Sequence, residues 1–251
     1  MRIGLIAGTG MDVLIPTKEW PEISTPYGPA YVADVAFGSQ QVALLRRHGP
    51  SQNVPPHLIN YKANLWALQH ACVDRILATA TVGTMRRDLQ PGSLAVISDF
   101  IDFTKRRNTT IFDQAGEAVV HIDFSTPYCP DISCAIEQAA AELSIRLGPR
   151  VTYVCVDGPR YETPAEVRMF AQWGGDIVGM TGVPEVALAR EMGMCYGALA
   201  IVTNYAAGIA DRPLSHEEVV TCMTEHRQQV CDILERAVAL IPEVRRCCFA
   251  P

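Results

Sequence analysis

Short apolar runs recur along the chain, with longer stretches of mixed polarity between them. The runs are rich in β-branched residues, as buried strands usually are, and the stretches between them are long enough to form helices. This alternation predicts a single α/β domain spanning residues 1–251, with a central mixed, mainly parallel sheet flanked by helices. The predicted strands cover residues 3–7, 42–45, 76–82, 94–98, 151–156 and 198–202.

Capping residues mark the predicted helix boundaries. The first long helix is predicted from about Asn60 to Cys72. A second is predicted to follow Asp131 as its N-cap and to end near Gly148, where a left-handed residue is favourable. Two further helix starts are predicted by the capping-box patterns Thr163-Pro164-Ala165-Glu166 and Ser215-His216-Glu217-Glu218.

Charge and hydropathy exclude several classes of partner. The chain has 27 Asp and Glu against 21 Lys and Arg, a net charge of -6, and no basic stripe suited to nucleic acid. No apolar run approaches the roughly 18 to 20 residues of a membrane span, and the first run is too short for a signal-peptide core. We therefore predict a cytoplasmic globular protein that binds neither nucleic acid nor membrane.

The nine cysteines are odd in number and scattered along the chain without CxxC pairs. This distribution favours reduced thiols over a disulfide framework or a zinc site, and it predicts no metal. The adjacent Cys247 and Cys248 are an exception to this scattered distribution, and the simplest interpretation is that they lie in a loosely held C-terminal tail.

Two clusters along the chain suit an anion. Gly8-Thr9-Gly10 follows the first predicted strand, where glycines permit a sharp turn and leave backbone N–H groups free. The alternatives are a structural turn or a dinucleotide-binding turn, but Val13 replaces the third glycine of that motif and Pro16 follows. Arg47 and His48 end another strand and can donate to phosphate oxygens, although solvated surface charge is an equally open interpretation.

A third anion contact is predicted where a helix starts. Thr181 precedes Pro184, a favourable first helical residue, so its hydroxyl and the neighbouring amides could meet phosphate.

Three side chains suit a purine base. Tyr161 can stack on a planar ring, Glu162 can accept a ring N–H, and the Asn204 amide can donate. Nitrogen N7 of a purine gains negative charge as its bond to the sugar breaks, so a donor held there is strongest in the transition state. An Asn amide on one side and a carboxylate on the other complement O6, N7 and N1 of a 6-oxopurine.

The chain resembles the family of trimeric purine nucleoside phosphorylases and 5'-methylthioadenosine phosphorylases. Beside the segments around Tyr161 and Asn204, the resemblance rests on four motifs in the family's order: Ala7-Gly8-Thr9-Gly10, Arg47-His48-Gly49, Asn60-Tyr61-Lys62-Ala63-Asn64-Leu65-Trp66-Ala67-Leu68 and Met180-Thr181-Gly182-Val183-Pro184-Glu185-Val186. It implies phosphorolysis of a purine nucleoside or 5'-methylthionucleoside, with phosphate as co-substrate and without a metal or organic cofactor.

The resemblance also assigns roles to residues of this chain. It implies a homotrimer in which the histidine at position 121 reaches the 5' end of a neighbouring subunit's pocket. The implied catalytic residues are Asn204, Glu162 and His48. The implied phosphate contacts are Thr9, Arg47, His48, Thr81 and Thr181; the base contacts are Tyr161, Glu162, Asn204 and Ala206; the ribose and 5' contacts are Met180, His216 and His121.

One departure from the family pattern bears on the substrate. Members that accept methylthioadenosine have Asp-x-Asp where this chain has Asn204-Tyr205-Ala206, which favours 6-oxopurines, inosine or methylthioinosine. His216 suits a 5'-hydroxyl, whereas residues 60–68 and 179–182 are closer to the methylthio branch, so the 5' substituent stays open. Direct use of methylthioadenosine, a non-catalytic purine-binding protein and an NAD-dependent oxidoreductase are the alternatives.

Overall fold

The computed structural model describes residues 1–11, 19–113, 120–210, 214–245 and 247, without the side chain of His216. The strands are β1 (Ile3–Ala7), β2 (Glu22–Thr25), β3 (Gly28–Phe37), β4 (Gln40–Arg46), β5 (Arg75–Thr84), β6 (Leu94–Asp102), β7 (Val151–Cys155), β8 (Ile177–Gly179) and β9 (Cys195–Tyr205). The α-helices are α1 (Tyr61–His70), α2 (Pro130–Glu142), α3 (Pro164–Gln172), α4 (Gly182–Glu191) and α5 (His216–Leu240).

These strands form one nine-stranded sheet, in the order β2-β3-β4-β1-β5-β8-β7-β6-β9. Because β9 pairs with β5 as well as with β6, the strands from β5 to β9 close into a ring of pairings, and the other four extend from β5 as an open sheet. The predicted mixed sheet is confirmed. Strands β1, β4, β5 and β9 run parallel, so their carboxyl ends meet at one edge, where ligands bind in α/β folds.

The core lies on both faces of the sheet. Along β9, Tyr196, Ala198 and Val202 pack on the side of α1 and α4, whereas Leu199 and Ile201 pack on the side of α2 and α5. A strand buried on both faces has no polar alternation, which explains why its sequence is a continuous apolar run. Within the described residues, no helix has the length and apolar character needed to cross a bilayer.

The helix boundaries confirm some predictions and correct others. Asn60 caps α1, and its side chain accepts from the Ala63 N–H. The prediction that Asp131 is an N-cap is wrong, because Cys129 holds that position and the helix starts at Pro130. The same helix ends at Glu142, well before Gly148. The hairpin of β2 and β3 and the short strand β8 were not predicted.

Candidate active site

A cavity of about 430 Å³ opens at the carboxyl edge of the parallel strands. Its walls come from the segments that follow β1 and β4, from the ends of β5, β8 and β9, and from the loop before α3. The predicted residues that line it are Thr9, Arg47, His48, Thr81, Tyr161, Glu162, Met180, Thr181 and Asn204. Strand topology therefore brings together side chains that are far apart in the sequence.

Arg47 is held by a buried carboxylate that the sequence analysis gave no role. Its Nε and Nη2 donate to the two carboxylate oxygens of Glu185 at 2.6 and 2.7 Å, and Nη1 donates to the Thr79 carbonyl at 2.8 Å. Burial would lower the pKa of Arg47, but the Glu185 charge and its hydrogen bonds outweigh burial and raise that pKa. Tyr196 donates a further hydrogen bond to Glu185 at 2.6 Å, so the guanidinium is both charged and fixed in place.

The glycine turn after β1 leaves room for the Arg47 guanidinium. A Cβ atom at Gly8 would lie 2.9 Å from Nη1 of Arg47, so only glycine permits the approach. The Gly8 N–H donates to the Thr79 hydroxyl at 3.1 Å and is therefore engaged within the protein. Val13 and Pro16, the two residues that depart from the dinucleotide-binding motif, lie outside the described residues.

The start of α4 has fewer free hydrogen-bond donors for an anion than its sequence predicts. The backbone N–H groups of Thr181 and Gly182 donate to the Tyr153 hydroxyl at 3.1 and 3.2 Å. The expectation that these two amides would meet an anion is therefore wrong. The Thr181 side chain, half-buried in the cavity wall, is the part of this helix start that remains for a ligand.

His48 has a defined tautomer. Its Nδ1 lies 2.8 Å from the carbonyl oxygen of Val54, and because a carbonyl can only accept, Nδ1 must carry the proton. Burial is the main cause that lowers the pKa of His48 below its ordinary value. The ring is consequently neutral near pH 7, with Nε2 left as a hydrogen-bond acceptor.

Asn204, also in the cavity wall, has both its amide oxygen and its amide nitrogen held by hydrogen bonds. Its Oδ1 accepts from the Thr203 hydroxyl at 2.9 Å, and its Nδ2 donates to the Tyr205 carbonyl at 2.9 Å. The pairing of β5 with β9 shifts register here, so that Gly83 pairs with Asn204 directly after Val82 pairs with Val202. This bulge places Thr203 and Asn204 together in the cavity wall.

Glu162 and Tyr161 approach from the loop before α3. The capping box predicted at Thr163 is confirmed, and it fixes the start of that helix directly after Glu162. Glu162 is only 7% exposed, and burial is the main cause that raises the pKa of its carboxyl group. Tyr161 is 37% exposed, with its ring against the cavity.

An apolar part of the wall is formed by Met180 and by Val219 of α5, which was not predicted. His216 is the first residue of the same helix, but its side chain lies outside the described part of the structure. Two other predicted residues do not line the cavity of their own chain. Ala206 is buried in an apolar cluster with Phe170, and His121 is exposed.

Comparison with known proteins agrees with this architecture. Residues 2–239 match the model of the phosphorylase superfamily, and the chain therefore belongs to that family.

The relatives are similar over nearly their whole length. One, named "Probable 6-oxopurine nucleoside phosphorylase", from Moorella thermoacetica, is 46% identical, covering 98% of this chain and 96% of the relative. Another, from Methanopyrus kandleri, is named "Probable S-methyl-5'-thioinosine phosphorylase" and is 44% identical over 98% and 95%. The crystal structure of methylthioadenosine phosphorylase from Schistosoma mansoni with adenine superposes with a TM-score of 0.90, at 31% identity over 96% and 92% of the two chains.

Proposed function

We propose that this protein is a pentosyltransferase that cleaves a 6-oxopurine nucleoside, or its 5'-methylthio derivative, with phosphate. The products are the free base and ribose 1-phosphate or 5-methylthioribose 1-phosphate. One observation carries the proposal: a single cavity is lined by a fixed guanidinium, hydroxyls and a neutral imidazole, and also by a fixed amide and a buried carboxyl. We assign the first group to a phosphate end and the second to a base end.

The first end suits hydrogen phosphate. Arg47 supplies a permanent positive charge, Thr9, Thr81 and Thr181 supply hydroxyl donors, and Nε2 of His48 can accept the proton of the phosphate. A phosphate oxygen then forms a bond to C1' of the sugar as the bond from C1' to N9 breaks. The proton that hydrogen phosphate gives up, to His48 or to solvent, balances the proton that the purine takes from solvent to become the neutral base. The negative charge of the phosphate stabilises the cationic sugar between phosphate and base, so the reaction requires positioning and charge but no metal, organic cofactor or side-chain nucleophile.

The second end receives the electrons of the broken bond. These electrons move into the purine ring and raise the negative charge at N7, where the second N–H of the Asn204 amide can donate. A 6-oxopurine also presents N1–H, which the Glu162 carboxylate can accept. An adenine-type base has no proton at N1 and presents an amino group at position 6, so the same pair of side chains discriminates against it.

The 5' end is the finer part of the proposal. Met180 and Val219 offer apolar surface that suits a methylthio group, whereas a histidine side chain at position 216 would suit a hydroxyl. We expect both inosine and methylthioinosine to be substrates. We further propose a cytoplasmic homotrimer in which the exposed His121 completes the 5' end of a neighbouring subunit's cavity.

The decisive test is a substrate panel of inosine, guanosine, adenosine, methylthioinosine and methylthioadenosine, each incubated with and without phosphate. We expect phosphate-dependent release of base, fastest with the 6-oxopurine compounds. Arg47→Ala should lose most of this activity, whereas Arg150→Ala, which removes an exposed cation paired with Glu137, should retain it. Equal base release without phosphate would indicate a hydrolase, and tight base binding without product would indicate the non-catalytic alternative.

A further inference from the structure

Three cysteines from distant parts of the chain lie close together at the amino end of β9. Cys129 immediately precedes α2, Cys195 is the first residue of β9, and Cys247 follows α5 in the C-terminal segment. Sγ of Cys247 lies 3.4 Å from Sγ of Cys129 and 3.3 Å from Sγ of Cys195, and all three sulfur atoms are within 4.8 Å of one another. The first two are fully buried, and Cys247 is half-buried.

These sulfur–sulfur distances are too long for a disulfide bond. A disulfide bond is about 2.05 Å long, so all three residues are free thiols. A Zn²⁺–thiolate bond is about 2.3 Å long, which sets two thiolates on one tetrahedral ion about 3.8 Å apart. The spacings from Cys247 to Cys129 and to Cys195 are shorter than this by only a few tenths of an ångström.

A buried guanidinium lies next to the cluster. Arg75 is the strand partner of Cys195 and is fully buried, and its Nε and Nη2 have no hydrogen-bond partner in the described part of the protein. Its Nη1 pairs with the Asp74 carboxylate at 3.1 Å, so thiolates would add negative charge for the two donors that remain.

We propose that Cys129, Cys195 and Cys247 together bind one thiophilic cation of the Zn²⁺ or Cu⁺ class. Thiolates are the ligands that such cations prefer, and each thiol gives up its proton to solvent on binding. Three thiolates exceed the charge of either cation, so the complex is anionic and complements the adjacent Arg75 guanidinium.

This site is separate from the cavity. Cys195 and Asn204 lie at opposite ends of β9, and nine residues of strand span about 30 Å. The proposed role is structural, because the cation would tie the C-terminal segment to the start of α2 and to the sheet. The Cys247 N–H also points at this helix, donating to the Asp131 carboxylate at 3.3 Å.

The test uses full-length protein purified with reductant and handled without oxygen. Dialysis against Zn²⁺ or Cu⁺, each alone, should leave one ion per chain and raise the melting temperature. Cys247→Ser should weaken retention by more than about 100-fold, since loss of even an outer-shell partner costs 10- to 100-fold. Cys134→Ser, which removes an exposed thiol of α2, should retain the ion. Phosphorolysis should be unchanged in both variants, which separates this inference from the proposed activity.

Either of two outcomes would overturn the proposal: the reduced wild-type protein retains neither ion, or the Cys247→Ser variant binds the ions as tightly as wild type. If the wild-type protein that takes up no ion also loses two titratable thiols on exposure to air, and this loss depends on Cys247, the cluster is a disulfide site.

Discussion

Asn204→Asp is the most informative single change, because it alters one atom of a side chain whose orientation is fixed. In the wild-type protein Nδ2 donates to the Tyr205 carbonyl, and Oδ1 accepts from the Thr203 hydroxyl. The substitution replaces Nδ2 by an oxygen, which would then face the Tyr205 carbonyl oxygen at 2.9 Å. Two acceptors cannot share that contact unless the new carboxyl group is protonated, and its burial favours protonation.

The size of the effect follows from the donor that is lost. Removing one donor to a developing negative charge costs roughly 10²- to 10³-fold in kcat, or about 3 to 4 kcal/mol. We therefore expect kcat/KM for inosine to fall by about that factor. The one proton of the protonated Asp is donated to the Tyr205 carbonyl, so neither base finds a donor for N7. The same oxygen can still accept an N–H of a 6-amino group, which adenosine presents and inosine lacks, so adenosine should lose much less. The ratio of inosine to adenosine efficiency should consequently fall, and adenosine turnover by the variant should rise as pH falls.

Initial rates of base release at saturating phosphate measure this ratio directly. Asn204→Ala is the matched control, because it removes donor and acceptor together and should slow both substrates alike. Melting temperatures of both variants separate loss of fold from loss of recognition. An inosine-to-adenosine ratio in Asn204→Asp equal to that of wild type would show that the amide does not contact the base.

Three further predictions concern the other walls of the cavity. Glu185→Gln should lower the free energy of unfolding by about 3 to 5 kcal/mol, because the buried Arg47 loses its counter-charge, and raise KM for phosphate, because the guanidinium loses a contact that fixes it in place. Tyr196→Phe, which keeps that pair, should do much less. Because burial raises the pKa of Glu162, KM for inosine should rise as pH falls through that pKa, and Glu162→Gln should show no such rise over the same pH range. His216→Val should increase the ratio of methylthioinosine to inosine efficiency, and an unchanged ratio would place His216 outside the pocket.

Local sequence patterns predicted the features that depend on local physics. Apolar runs located the buried strands, and the Asn60 and Thr163 side chains cap the helices as their positions suggest. Because β1 and β9 both run parallel to β5, Thr9 and Asn204 lie at the same edge of the sheet, and the strand predictions are enough to expect this. The hairpin of β2 and β3 was missed because its exposed first strand has no apolar run to mark it.

The features that sequence reasoning missed depend on long-range contacts. Glu185 lies within a quoted motif, but its role arises from Arg47, which is 138 positions away in the chain. The Tyr153 hydroxyl occupies the amides of Thr181 and Gly182, and no local pattern indicates this. The cysteine cluster was also not predicted, because Cys129 and Cys247 are 118 positions apart and no spacing rule connects them.

The bulge in β9 makes substrate recognition depend on strand length. The register of β5 with β9 passes over Thr203, pairing Val82 with Val202 and Gly83 with Asn204, and a Cβ atom at Gly83 would approach Nδ2 of Asn204 to 3.1 Å. Deleting the one extra residue would restore strict alternation and turn the following side chains to the opposite face. Related enzymes could therefore exchange one base-reading side chain for another by point substitution, whereas insertions and deletions in this strand would abolish recognition even though the fold survives.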